Sequence, residues 1–262
     1  MKSKKKQITR KKFRVKRKLR LWVILSFIFI CLIGFLFYSY KVVLWKKNVE
    51  ENERVKKKTE ENIKIVKNDK NDKKPKIDVD FEELKKQNPD TVAYIKLFNT
   101  NIDYIVVKGK DNSYYLNHNF EKKYNIAGWI FADYRNKVDE SDKNLIIYGH
   151  NTRDNSMFGT LKNILDKDWY ENRDNHIVTL VTEKKKYYYI VFSTYTIIPE
   201  DYYISTSFKN NADFDKFVKK LKSRSNYNYG IDVTGDDKIL TLSSCITEGK
   251  KRVVLHAKLI DI

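Results

Sequence analysis

Hydrophobic and polar positions divide this chain into three regimes. From 21 to 40, Leu, Ile, Phe and Val form a run without a single charged residue. As a helix rising ~1.5 Å per residue, such a run is long enough to cross a hydrocarbon layer of ~30 Å. Trp22, Tyr38 and Tyr40 fall near its ends, where amphipathic aromatic rings favour the membrane interface. From 41 to 76, Lys, Glu, Asn and Asp dominate, and the sparse Val and Ile are too few to build a core. This composition predicts a charged stalk, partly helical through Glu/Lys pairs at i,i+4 spacing, with Pro75 near the start of the folded domain.

From 77 to 262 the pattern is that of a folded domain. Asp80 opens a short amphipathic helix that ends before Pro89. Beyond it, runs rich in β-branched and aromatic residues predict strands over 92–97, 102–107, 127–132, 144–148, 177–182, 187–198, 238–244 and 252–260. Helical interruptions are predicted at 113–117, 157–165 and 212–224. In the last of these, Phe214, Phe217, Val218 and Leu221 are spaced as one helix face. The expected architecture is mainly β with peripheral helices, a barrel preceded by a single N-terminal transmembrane helix.

Charge changes this picture mainly at the amino terminus. The chain carries a formal net charge of +19, and residues 1–20 are dense in Lys and Arg with no acidic neighbour. Clustered cations can mark nucleic-acid binding. Here they adjoin the apolar run, and contact with anionic lipid head groups together with topology determination accounts for them, so no nucleic-acid partner is expected. The positive-inside rule places 1–20 in the cytoplasm and everything after Lys41 outside the cell membrane. A cleaved signal peptide is the alternative, but its apolar region spans ~7–15 residues. The sequence Tyr38-Ser-Tyr-Lys-Val-Val43 also lacks a small-x-small cleavage site. An uncleaved single-pass anchor is therefore expected.

This topology isolates one thiol. Of the two cysteines, Cys31 lies in the apolar run, leaving Cys245 without an intrachain disulfide partner in the exported domain. Cys245 ends the alternating strand Ile239-Leu-Thr-Leu-Ser-Ser. Of the four histidines, His118 and His176 read as loop residues and His256 as a strand residue, whereas His150 ends the apolar segment Leu145-Ile-Ile-Tyr and opens a turn. Arg252 begins the next strand after Cys245. A loop of roughly six residues would bring thiol and guanidinium to one end of a sheet, where a fixed cation stabilises a thiolate or an oxyanion. Taken singly, each residue has a bland reading: a solvated loop histidine, a small buried cysteine, a surface arginine. Together they point to thiol catalysis. No phosphate-binding glycine loop or metal-ligand spacing is present, and neither metal nor cofactor is expected.

The motif Thr241-Leu-Ser-Ser-Cys245, followed by Lys251-Arg252-Val-Val, resembles the sortase family, whose nucleophile motif is Thr-Leu-x-x-Cys with a later Arg. Three further segments are similar to class B sortases: Asp111-Asn-Ser-Tyr-Tyr-Leu-Asn-His118, Ala127-Gly-Trp-Ile-Phe-Ala-Asp-Tyr-Arg135, and Tyr148-Gly-His-Asn151 with Met157-Phe-Gly-Thr-Leu161. The likeness runs from about Asp80 to the C-terminus, with a slightly shorter loop between Cys245 and Arg252. Lys251 is a neighbouring cation. Arg252 is preferred because it begins the apolar strand and offers planar donor geometry.

The resemblance implies an eight-stranded sortase β-barrel on the outer face of a Gram-positive cell membrane. It implies that Cys245 attacks the Thr carbonyl of a C-terminal sorting signal, Asn-Pro-x-Thr-Asn-like or Pro-x-Thr-Gly-like, in a surface protein. His150 would protonate the leaving amine and Arg252 would stabilise the oxyanion. A peptidoglycan amine would resolve the thioacyl enzyme. Asn112, Leu116, Tyr203, Ile204 and Ser243 are similar to groove residues that bind the signal, with helix capping for Asn112 and core packing for Leu116 and Ile204 as the other readings. Two alternatives remain open: a non-catalytic membrane-anchored barrel that binds wall polymer or protein, and a sortase that polymerises pilins.

Overall fold

The fold is taken from a computed structural model, which describes residues 2–66, 76–198, 200–246 and 251–260 and gives no side-chain placement for 1–19, Ile65, Val66, Lys76, Cys245 or Ile246. Pro75, the expected start of the folded domain, and part of the loop after Cys245 lie outside these residues. Backbone packing separates Met1–Lys47 from Asn48–Ile262. In the first unit, helix α1 (Lys2–Glu60) presents Leu21, Trp22, Phe29, Phe35 and Val43 along an exposed apolar surface. It is the one helix among the described residues long and apolar enough to cross a membrane.

In the second unit the end of α1 is followed by the hairpin β1 (Ile63–Val66) and β2 (Lys76–Val79), so the region read as stalk holds regular structure. Helix α2 (Phe81–Gln87) starts where Asp80 accepts a hydrogen bond from Glu83 N at 2.9 Å, the side-chain cap that satisfies a free helix donor. The barrel strands are β3 (Thr91–Leu97), β4 (Asp103–Val107), β5 (Phe131–Ala132), β6 (Asn144–Asn151), β7 (Ile177–Val181), β8 (Lys186–Ile197), β9 (Ile239–Ile246) and β10 (Arg252–Ile260). They close in the order β10-β8-β7-β3-β4-β5-β6-β9, which leaves no free sheet edge. The expected strand over 127–132 is cut to Phe131–Ala132, because Gly128 turns the chain with φ of 57°. The expected helices at 113–117 and 157–165 are short 3-10 turns, Tyr114–Leu116 and Leu161–Leu165.

Alternation along the strands sorts the core. On β10, Val253, Leu255 and Ala257 join the main cluster with Trp129, Phe131 and Leu242. The intervening Val254 packs with Phe214, Val218 and Leu221 of helix α4 (Asn211–Ser223). Each of those α4 side chains stabilises the fold by roughly 1.5–3 kcal/mol through burial. Helix α3 (Lys167–Glu171) buries Trp169 beside the second 3-10 turn.

Candidate active site

β6 and β9 are parallel neighbours, and their register pairs Tyr148 with Ser243, Gly149 with Ser244 and His150 with Cys245. Two strand ends reached from distant sequence positions thus coincide rung for rung. β10 runs antiparallel to β9, with Val254 opposite Ser243, so Arg252 begins β10 two residues from that rung at the same barrel end. On its other side Arg252 is paired with Ile197 of β8. Gly149, next to His150, is held tightly by the core: a Cβ there would fall 2.5 Å from Ile130 Cδ1 and 2.7 Å from Phe158 Cγ. The core approaches β6 where a larger residue would displace it.

His150 is half-buried, and its Nε2 lies 2.7 Å from Leu116 O. A carbonyl only accepts, so Nε2 carries the hydrogen and Nδ1 is the nitrogen that gains or loses a proton. Nδ1 is buried and has no hydrogen-bond partner among the described residues. Burial pushes the His150 pKa below its ordinary value, against the opposing effect of the Leu116 carbonyl, and so favours the neutral ring.

The guanidinium of Arg252 donates through Nη1 to Tyr203 Oη at 3.0 Å, and Tyr203 Oη lies 3.0 Å from Ser243 Oγ. Tyr203 and Ser243 are completely buried. They stand behind Arg252, with Tyr203 Oη bridging its guanidinium to Ser243. Lys251, the rival cation, is exposed, whereas Arg252 is half-buried and oriented.

Asn112 and Ile204 meet through Asp133 and Arg135, which lie in a class B-like segment but take no role from the sequence alone. Asp133 is completely buried. It accepts from Asn112 Nδ2 at 2.9 Å, Tyr148 Oη at 2.9 Å and Arg135 Nη2 at 2.7 Å. Burial would raise the Asp133 pKa, but the hydrogen bonds from Arg135, Asn112 and Tyr148 outweigh it and keep the carboxyl below its ordinary value. Arg135 also donates to Ile204 O at 2.9 Å. One buried carboxylate therefore links the Asn112 loop, the strand bearing His150 and the segment bearing Tyr203. An isolated acid directly after the apolar run Trp129-Ile-Phe-Ala was the available signal. The Asn112 side chain is spent on Asp133 and on Tyr134 N rather than on a helix cap. Leu116 and Ile204 are partly buried against the core.

His176 departs from its expected place in an exposed loop. It is buried against Trp169, Tyr170 and Tyr229, with Nε2 2.8 Å from Tyr170 O. Its polar sequence neighbours concealed an aromatic tertiary environment.

A family model for the sortase domain matches residues 95–260. Sortase B of Listeria monocytogenes is 39% identical over 184 residues, 69% of this chain and 74% of that protein. Sortase B of Staphylococcus aureus is 40% identical over 185 residues, 70% and 75% of the two chains. The structure of a Staphylococcus aureus sortase B–substrate complex matches with a TM-score of 0.65 at 39% identity, over 70% of this chain and 85% of that one. A sortase B complexed with triglycine gives a TM-score of 0.66 at 39% identity, over 70% and 86%. Barrel and matches together define the class: the chain belongs to the sortase family, the cysteine transpeptidases. Its relatives are sortase B proteins, so within the family its type is class B.

Proposed function

We propose that this enzyme is anchored in the cell membrane by α1 and joins surface proteins to the cell wall. The observation that carries the reading is the register of His150 against Cys245 with Arg252 at the same barrel end. Cys245 attacks the Thr carbonyl of a C-terminal sorting signal, forming a C–S bond while its proton passes to His150 Nδ1. Arg252, held by Tyr203, stabilises the negative charge on the carbonyl oxygen. As the tetrahedral centre collapses, the C–N bond breaks and His150 returns the proton to the leaving amine. An amine then attacks the thioester, the C–S bond breaks, and the thiol is restored as the amide forms. A peptidoglycan amine is the acceptor this chemistry suits, and the triglycine complex of a related sortase B supports an amine acceptor. Asn112, Leu116, Tyr203, Ile204 and Ser243 border the groove for the signal, and Tyr203 also accepts the hydrogen bond that holds Arg252.

The test is cleavage of quenched fluorescent peptides of both the Asn-Pro-x-Thr-Asn and Pro-x-Thr-Gly types by the full chain in detergent. Cutting after Thr, reduced at least about a thousandfold in Cys245→Ala and in His150→Ala, is the expected result. Undiminished cutting by Cys245→Ala would sink the reading.

A further inference from the structure

The last turns of α1 belong to the same compact unit as the barrel, which begins at Asn48. The reaction above makes no use of them. Yet a helix face that would ordinarily bury apolar residues buries Asn48, Asn52 and Thr59 around Val55. Asn52 Nδ2 donates to Asn125 Oδ1 at 3.2 Å and to Gly128 O at 3.3 Å. Asn125 Nδ2 donates to Asn48 O at 2.9 Å, and Asn48 Oδ1 accepts from Ile126 N at 3.1 Å. These amides tie the helix to the turn 125–128.

That turn lies directly on the segment that holds His150. Asn125 N donates to Asn117 O at 2.9 Å, and Trp129 N to Tyr115 O at 3.0 Å. A Cβ on Gly128 would fall 2.3 Å from Tyr115 O and 2.8 Å from Leu116 O, so the turn is in close contact with the carbonyl that accepts the His150 hydrogen bond. A second route reaches the backbone of the same histidine. Lys56 Nζ stands over the Tyr104 ring, 4.2 Å from its centroid, and Tyr104 Oη accepts from Met157 N at 2.9 Å. The next residue, Phe158, donates its N–H to His150 O at 2.9 Å.

Stability does not explain the choice of amides. Asn52 Oδ1 is buried without a partner among the described residues, and a buried unsatisfied acceptor costs more than an apolar side chain of similar shape. What such a network supplies is fixed distance and orientation. We propose that Asn48, Asn52 and Asn125 are positioning residues for transpeptidation: through them the helical segment after the apolar span places the Leu116 carbonyl and thereby the tautomer and orientation of His150. The inference rests on His150 being the acid/base group.

The experiment compares the full chain in detergent micelles with Asn52→Leu, Asn125→Ala and Lys58→Ala, with Cys245→Ala as the inactive control. Each is assayed on the quenched Asn-Pro-x-Thr-Asn peptide and by side-chain 15N NMR of His150. Asn52→Leu keeps the volume of the side chain and is expected to fold at least as stably as the parent. Its kcat should fall about tenfold with KM within about twofold, as for misplacement of a reacting group. Its His150 nitrogens should shift from a single Nε2–H tautomer to a mixture. Asn125→Ala should do the same, and Lys58→Ala, which loses only the outer contact with Glu121, should do neither. An Asn52→Leu chain with unchanged kcat and unchanged His150 nitrogen shifts overturns the proposal, as does a fall in kcat that follows thermal stability while those shifts stay put. If Cys245→Ala cuts as fast as the parent, the functional reading fails separately, and the nitrogen shifts still decide whether the helix positions His150.

Discussion

His256 occupies a completely buried position on β10, with its ring held at both nitrogens. Thr241 Oγ1 gives its only hydrogen to Asn144 Oδ1 at 2.7 Å, so it accepts from His256 Nδ1 at 2.9 Å. Nε2 is then the acceptor for Tyr195 Oη, also at 2.9 Å. Burial pushes the pKa of this ring down to about 3. In the unfolded chain it titrates near ~6.5, so between these values the unfolded state binds more protons and stability rises with pH. The contribution is complete above ~6.5 and is lost progressively as pH falls toward the folded value. His150 and His176, which burial also lowers, act in the same direction. Urea unfolding should show His256 alone removing about 2 kcal/mol between pH 6.5 and 5. In His256→Gln the pH-dependent loss should shrink by that amount; a loss of undiminished size would show that the ring is protonated in place.

Among the elements, α4 shows how local sequence and packing combine. Asn210 is extended, with φ of −164°, and its side chain accepts from Asp213 N at 2.9 Å. Phe214, Val218 and Leu221 then bury one face against the barrel's outer side, as the i, i+4, i+7 spacing predicted. Removing the cap in Asn210→Ala should cost about 1 kcal/mol in urea unfolding and leave peptide cleavage within about twofold, because the helix lies outside the site. A larger loss of cleavage than of stability would mean that α4 also shapes the channel. Elements were readable where the pattern is long and periodic, as in α4 and β8. They were poorly readable at 127–132, where Gly128 and the approach of Tyr115 and Leu116 leave room for only a two-residue strand.

For the whole molecule, the apolar stretch of α1 and the basic run before it predict a single span with the amino terminus inside. In a background with Cys31 and Cys245 both changed to Ala, a membrane-impermeant maleimide applied to intact cells should label Ser207→Cys and spare Ser3→Cys. Equal labelling of the two positions, or labelling of Ser3→Cys alone, would reverse the topology. Ser207 suits this test because it is exposed on the barrel unit.

The local sequence determined much of this protein without help from the fold. An uncharged run of this length has one good environment, alternating β-branched residues bury one face, and a cysteine ending such a strand arrives at a strand end. These properties depend on neighbours within a few residues, and seven of the eight barrel strands, the α4 face and the strand-end placement of His150, Cys245 and Arg252 were readable from them. Tertiary structure decided what depends on distant partners. The register of β6 against β9 joins positions about a hundred residues apart. Tyr203 and Ser243 meet Arg252 only through tertiary packing, and Asp133 becomes a hub only once Asn112, Arg135 and Tyr148 surround it. The polar face of the α1 end read as a solvated stalk because an asparagine is apt for solvent or for a buried network alike. Which of the two it joins is set by whether a complementary amide and carbonyl wait across the interface, and here Asn125 and Gly128 supply them.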